Sequence, residues 1–163
     1  MNVGPWMTTS LRGLATLGLA GALAACGGGT PAEPDAFVDC STDSRAEVFT
    51  AGMTKAGSQG SVTFKLMSAT PVTPSRGLNA WQLDLVDGGG AAIAGAAVKV
   101  TPYMPDHQHD AGVTPVVTEP TAGHYQLDMI NLWMPGVWQT TIEATPAGGA
   151  KDVAVFSFCI QPG

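Results

Sequence analysis

The sequence has few charged side chains and no cluster of basic ones. Only 12% of its 163 residues are charged, and 13 acidic against 7 basic residues give a net charge of −6. We therefore expect no nucleic-acid partner, because phosphate binding needs grouped Lys and Arg. A long helical bundle is also disfavoured, since helix-forming charged residues are scarce while the chain holds 21 Gly and 12 Pro.

Recognisable catalytic signatures are missing as well. The chain has no GxSxG, HExxH or phosphate-cradling glycine loop, and its glycine triplets at 27–29 and 88–90 are typical of a linker and a turn. The carboxylates and imidazoles between 106 and 110 could form an acid–base set, but their spacing fixes no geometry. We therefore predict that the protein is not an enzyme. The 45% hydrophobic content excludes wholesale disorder, and the length suits one domain.

Residues 1–25 have the pattern of an export signal. Arg12 is the only charged side chain before a run of small and apolar residues from Gly13 to Ala25. That run suits a signal-peptide core and is too short to span a bilayer. It ends in Leu-Ala-Ala-Cys26, which resembles the bacterial lipobox, in which the cysteine becomes the lipidated first residue of the mature protein. An ordinary secretory peptide cleaved near Ala25 is the alternative.

The lipobox resemblance implies a location in the cell envelope. It implies acyl chains on Cys26 that would anchor the chain stably to a membrane. Gly27, rather than Asp, favours the periplasmic face of the outer membrane if the host is diderm. Residues 26–39 are rich in Gly, Pro and acid, so we predict a flexible tether between the lipid and a domain spanning 40–163.

The two remaining cysteines, Cys40 and Cys159, lie near the two ends of that domain. Exported chains sit in an oxidising compartment, so we predict that this pair forms a disulfide. The bond would close a loop of about 120 residues and pin the N-terminal segment to the last strand. A redox or metal-binding thiol pair is the alternative, but no CxxC spacing supports it.

Within the domain, hydrophobic residues alternate with polar ones at a period of two. Trp81, Leu83 and Leu85 share one face, and similar patterns occur at 96–101, 124–129 and 138–144. The segments 61–69 and 152–160 are equally rich in strand formers, and 46–53 and 113–118 are weaker candidates. Gly- and Pro-rich turns separate them. We predict an all-β antiparallel sandwich of seven to eight strands. The segment 44–56 could instead hold a short helix.

Residues 102–112 could carry chemistry, because they hold two of the three histidines in a stretch that looks too rich in proline for a plain strand. His107 and His109 are two positions apart, so an extended backbone would project both rings to one side. Two such imidazoles can share Cu(II) or Zn(II), and a thioether from Met104 would shift the preference towards Cu(I). His124, Met129 and Met134 supply further donor atoms.

Each of these residues also has a purely structural interpretation. Met104 shares the face of Val98 and Val100, and Met129 shares that of Tyr125 and Leu127, so both are expected in the core. Met134 can cap the hydrophobic interior, and His124 begins a strand as a solvated residue. His107 and His109 are by default surface-loop residues, since they lie beside two aspartates and away from any apolar pattern.

Six short motifs occur in order between positions 79 and 138. They are Asn79-x-Trp81, Leu83-x-Leu85-x-Asp87, Gly95-Ala96-x-Val98, Met104-Pro105-x-His107-x-His109, Gly123-x-Tyr125 and Met134-Pro135-Gly136-x-Trp138. This combination resembles the YtkA-like domain, which is akin to the FixH family of exported or membrane-anchored bacterial proteins. The chain departs from the family pattern in having Asp110 where a glycine is commoner.

The resemblance implies an immunoglobulin-like β-sandwich and a link to metal handling. FixH-like members are linked to assembly of a copper-containing oxidase, and related domains accompany metal-efflux components. Carried over, this makes Met104, His107 and His109 a copper site, to which Met134 is a further candidate. The implied partner is a metal-handling envelope protein, and the implied role is storage, delivery or efflux. The alternative is a structural or protein-interaction module of the envelope that binds no metal.

Overall fold

The computed structural model describes residues 39–162, which form nine β-strands in two sheets. The predicted signal peptide, Cys26 and nearly all of the predicted tether lie outside this described range. The strands are β1 (Met53–Ala56), β2 (Thr63–Thr70), β3 (Gly77–Val86), β4 (Ala97–Met104), β5 (His109–Asp110), β6 (Val116–Thr121), β7 (His124–Leu132), β8 (Gly136–Thr145) and β9 (Asp152–Ile160). Between residues 39 and 162 there is no helix that could cross a membrane.

One sheet has five strands in the order β1-β2-β3-β7-β6, and the other has four in the order β5-β4-β8-β9. Every strand pair is antiparallel, which confirms the predicted β-sandwich. The strands number nine because β1 and β5 are only 4 and 2 residues long, too short to give a clear periodic signal. The suggested helix over 44–56 is wrong, since that segment contains turns, a single bridge from Glu47 to Phe158, and β1.

The core lies between the sheets and follows the predicted alternation. Trp81, Leu83 and Leu85 of β3 are fully buried, as are Trp138 and Ile142 of β8. Trp81 also meets Phe158 of the opposite sheet edge to face, with ring centres 5.6 Å apart. Burying such a side chain contributes roughly 1.5–3 kcal/mol, so the contact between Trp81 and Phe158 helps to hold the two sheets together.

Met129 is not part of the core, contrary to the expectation from β7 periodicity. It has a left-handed backbone with φ of 60° and its side chain is exposed. The register between β3 and β7 shifts at this point, which is the signature of a β-bulge. The extra residue changes the alternation, so Ile130 and Leu132 point inwards in its place.

The N-terminal segment is attached to the last strand by a covalent bond and by hydrogen bonds. Cys40 and Cys159 form the predicted disulfide, with Cα atoms 5.4 Å apart. Glu47 accepts a hydrogen bond from Ser157 N at 3.0 Å and forms a salt bridge with Lys55 Nζ at 2.6 Å. The segment therefore enters the domain beside β9.

Strand directions define two ends of the sandwich. One end, near Cys159, is formed by the connections 71–76, 105–108 and 133–135, and we call it the histidine end. The aspartate end is the opposite one, formed by the connections 57–62, 87–96 and 146–151.

The aspartate end is organised around the buried carboxylate of Asp152. This group accepts hydrogen bonds from Gln59 N at 2.7 Å, Ser61 N at 2.8 Å and Val62 N at 2.9 Å. Burial on its own would raise the pKa of Asp152, but the backbone donors outweigh it and hold the pKa well below its ordinary value. A Cβ on Gly57 would overlap this carboxylate, so the turn requires glycine there.

Candidate functional site

Strand β4 delivers Met104 to the histidine end. The sequence analysis expected proline to interrupt a strand here. Instead, Pro102 lies inside β4, opposite Thr140. On its other side β4 pairs with β5 only at Tyr103 and Met104. Strand β5 does not reach Pro102, so this residue lies beside an unpaired edge, where a sheet tolerates proline.

A tight turn follows and carries His107. The Met104 carbonyl accepts hydrogen bonds from Gln108 N at 2.8 Å and from His107 N at 3.3 Å, and Gln108 has φ of 55°. The sequence analysis assumed an extended backbone between the two histidines, and this assumption is wrong. The two rings nevertheless come together, with centres 5.9 Å apart.

His109 is held among aromatic rings and is not the solvated loop residue that the sequence suggested. Its ring stacks on Trp133 with centres 5.0 Å apart and planes 22° apart. Trp138 approaches it at 5.7 Å with an interplanar angle of 66°. Because β5 places His109 opposite Met104, the imidazole is directed to the face of the sheet that carries the core.

The two ring nitrogens of His109 have different environments. Nδ1 lies 2.9 Å from the Asp110 carbonyl oxygen. A carbonyl oxygen can only accept, so in the neutral ring the hydrogen is on Nδ1, which donates a hydrogen bond to that oxygen. Nε2 is buried and has no hydrogen-bond partner. A buried nitrogen with a free lone pair, in a ring oriented through its other nitrogen, is how a metal-binding histidine is usually presented.

Four buried side-chain polar atoms in the described range lack partners: His109 Nε2, Trp81 Nε1, Thr140 Oγ1 and Ser157 Oγ. The indole nitrogen is a donor only and the hydroxyls are neutral alcohols, so the imidazole nitrogen is the one suited to a transition metal. A buried imidazole nitrogen without a hydrogen-bond partner is a suitable ligand for the copper that the sequence resemblance implied.

Met104 lies in the same cross-strand row as the histidine. Met104 pairs directly with His109 across the β4–β5 hairpin, and the preceding residue, Tyr103, pairs with Gln139 of β8. Met104 is 1% exposed and its terminal methyl group packs against Gly136. It is therefore a core residue, as its face predicted, and also the neighbour of His109.

Met134 belongs to the connection between β7 and β8, directly after Trp133. Its side chain is partly buried against the core, and its carbonyl accepts a hydrogen bond from Trp138 Nε1 at 2.9 Å. Met104, His107 and His109 thus share one hairpin, and the indoles of Trp133 and Trp138 connect this hairpin to the loop that holds Met134.

The charged groups beside the turn are engaged elsewhere. Both carboxylate oxygens of Asp106 accept hydrogen bonds from Arg45, at 2.7 and 2.9 Å, and this contact lowers the pKa of Asp106. Arg45 also binds Asp43, whose pKa falls to about 2 because of the guanidinium hydrogen bonds. Asp110 accepts a hydrogen bond from Gly112 N at 2.8 Å.

The third histidine lies at the other end of the sandwich. His124 begins β7, is exposed as predicted, and contacts Asp84 through Nδ1 at 2.6 Å. His124 and the exposed Met129 are therefore separate from the hairpin that carries His107 and His109. Within residues 39–162, no three His, Cys, Asp or Glu side chains are grouped so as to hold a metal ion. The donors at the hairpin are imidazole and thioether groups.

Sequence reasoning missed Trp133 and Arg45. Trp133 covers His109 from a loop 24 positions later, and Arg45 reaches Asp106 across 61 positions. An aromatic residue directly before Met134-Pro135-Gly136 was the available signal for Trp133. No local pattern pointed to Arg45.

Comparison with known proteins gives one family assignment. No curated protein and no solved structure matches the chain significantly. A family model described as YtkA-like matches residues 58–143, from the turn before β2 into β8, which is more than half of the chain. The matched range includes Met104, the histidine pair, Met134 and both indoles, and the chain belongs to the YtkA-like family.

Proposed function

We propose that this protein is a non-enzymatic metal-binding module that holds copper or another soft cation at the histidine end. The ligands would be His107, His109 and Met104, with Met134 as a further donor. The role would be storage, delivery or assistance to efflux, together with a metal-handling envelope protein. The observation that carries the proposal is the buried Nε2 of His109, which lacks any partner while Nδ1 is hydrogen-bonded.

The ring geometry supports a shared ion. Metal–nitrogen bonds are about 2.0–2.1 Å long, so two imidazoles bound to one ion have centres roughly 5–6 Å apart. The centres of His107 and His109 are 5.9 Å apart. Exposed His107 could take an ion from solvent and half-buried His109 could retain it. Both rings must be neutral to bind, so affinity should fall as the solution is acidified.

Copper titration of the purified full-length chain tests this proposal. Cys26→Ser should be present throughout, because a free thiol would bind the same ions. We expect one ion per chain in a competition assay with a chromogenic Cu(I) chelator, and loss of this binding in the double variant His107→Ala/His109→Ala. His124→Ala is the matched control and should bind as the parent does. Binding that survives the double variant would refute the site.

A protein-interaction module is the second candidate, and one observation favours it. Several large apolar side chains near the histidine end are exposed, among them Val72, Leu78, Tyr103 and Trp133. Exposed apolar side chains of this size are candidates for contact with a partner protein. Indifference to copper would favour this candidate over the metal site.

We further propose that the chain is exported and lipid-anchored through Cys26. The apolar run before Cys26 supports this, and so does the Cys40–Cys159 disulfide, since such bonds persist in oxidising compartments. Intact-mass measurement of the membrane fraction should find a mature chain that begins at Cys26 and carries acyl groups. Cys26→Ser should move the protein to the soluble fraction or leave the leader uncleaved. A mature chain that begins elsewhere would refute the lipid anchor.

A further inference from the structure

The histidine end offers only neutral donors to an ion. The imidazoles of His107 and His109 and the thioether of Met104 carry no charge when they bind a metal. The neighbouring carboxylates make other contacts: Asp106 binds Arg45 through both oxygens, and Oδ1 of Asp110 accepts a hydrogen bond from Gly112 N. An ion bound only by His107, His109 and Met104 would therefore retain its full charge.

The free-energy cost of burying an ion rises with the square of its charge. Nε2 is shielded from solvent, and its ring contacts both Trp133 and Trp138. Moving a bare ion from water into a low-dielectric site is unfavourable, and the Born cost is about four times greater for a dication than for a monocation of equal size. Without an anionic ligand, the site disfavours a dication.

The remaining donor favours a soft ion. Met104 pairs with His109 across the hairpin and adds a thioether, which prefers Cu(I) to the harder dications. The charge of the ion and the softness of the ligands therefore point to the same class of cation.

We propose that the site is selective for a monovalent soft cation, Cu(I) or Ag(I), and rejects Cu(II) and Zn(II). This inference rests on the proposed metal-binding function and specifies its substrate class. Because both indoles contact the His109 ring, it also assigns Trp133 and Trp138 as the groups that report occupancy, through a change in tryptophan fluorescence.

The test compares Ag(I), which is stable in air, with Zn(II) and Cu(II) on the full-length Cys26→Ser chain. We expect Ag(I) to bind at least 100-fold more tightly than Zn(II) or Cu(II) and to change tryptophan fluorescence at one ion per chain. Trp133→Phe should reduce that change. Met104→Leu, which conserves volume, should weaken Ag(I) binding at least tenfold, whereas Met129→Leu on the exposed bulge should leave it unchanged.

The outcomes separate this inference from the proposed function. If Zn(II) or Cu(II) binds as tightly as Ag(I), and His107→Ala/His109→Ala removes that binding, the selectivity is refuted while the metal site stands. If none of the three ions binds, both are refuted. If Ag(I) is preferred but Met104→Leu and Met129→Leu weaken it equally, the assignment of Met104 is wrong.

Discussion

Asp152 at the aspartate end and His109 at the histidine end are both polar side chains that neighbouring turns enclose. The carboxylate receives hydrogen bonds from at least three backbone N–H groups, so its charge is compensated within the fold. The imidazole uses one nitrogen and leaves the other buried without a partner. A compensated buried group stabilises a fold, whereas an uncompensated one costs stability unless a ligand completes it. The comparison therefore gives Asp152 a structural role and supports the proposal that the histidine end is a binding site.

The disulfide should give the largest effect on stability. Replacing both Cys40 and Cys159 by Ser frees the chain that leads into the histidine end and removes the constraint on a 119-residue separation. Chain-entropy arguments give a loss of up to about 5 kcal/mol in the free energy of unfolding. Urea unfolding of the double variant, compared with the parent with and without a thiol reductant, measures it. Equal midpoints in all three samples would contradict the prediction.

Asp152→Asn should be the next most severe change, because an amide cannot accept all the hydrogen bonds of the carboxylate and turns a donor towards them. We expect a loss of about 2–4 kcal/mol in the free energy of unfolding. Chemical denaturation measures it, with Asp87→Asn in the exposed turn at the same end as the control. A loss below 1 kcal/mol would mean that the aspartate end does not depend on this group.

Acid should act through the same carboxylate. The pKa of Asp152 is lower in the folded chain than the ordinary value of about 3.9 in the unfolded one. Its stabilising contribution is therefore complete above about pH 4 and is lost as the pH falls towards the folded pKa. Urea midpoints between pH 7 and pH 3 should fall more steeply for the parent than for Asp152→Asn. Parallel curves would show that other carboxylates control acid sensitivity.

Gly136→Ala tests the packing beside the histidine end. Gly136 has φ of 129°, which side chains rarely adopt, and a Cβ there would overlap the terminal methyl group of Met104. We expect a loss of about 1–3 kcal/mol and weaker metal binding, because Met104 must move. Thermal unfolding and the Ag(I) titration measure the two effects. If the overlap is the cause, the double variant Gly136→Ala/Met104→Ala should lose less stability than the sum of the two single variants.

His109→Phe should have the smallest effect on stability and the sharpest effect on function. Phenylalanine keeps a ring against Trp133 and removes the unpartnered nitrogen, so the free energy of unfolding should change by less than about 1 kcal/mol. Binding of copper or Ag(I) should be lost. If this variant is as unstable as Asp152→Asn, the imidazole is a structural group and the contrast between the two ends fails.

The periodic strands could be predicted from the sequence, while the features that depend on distant partners could not. Trp81, Leu83 and Leu85 are buried as their alternation predicts, and β9 has the predicted bounds of 152–160. The bulge at Met129 depends on how β7 aligns with β3, which no local pattern encodes.

The candidate site divides in the same way. Local spacing brought out Met104, His107 and His109, because one hairpin holds all three. The burial of His109 depends on Trp133, which belongs to another loop and meets the ring only after the sheets have packed. The proposed function rests on the free lone pair of the buried Nε2. Two contacts create this arrangement: the hydrogen bond from Nδ1 to the Asp110 carbonyl and the packing of Trp133 on the ring.

The disulfide also affects how the chain responds to proteases. Cys40 and Cys159 enclose nearly the whole sandwich, including the entire range that matches the family model. A single cut in any connection between them, such as 87–96 or 146–151, would leave both fragments covalently joined. Such a nicked molecule should keep its mass on a non-reducing gel and separate into two bands only when reduced.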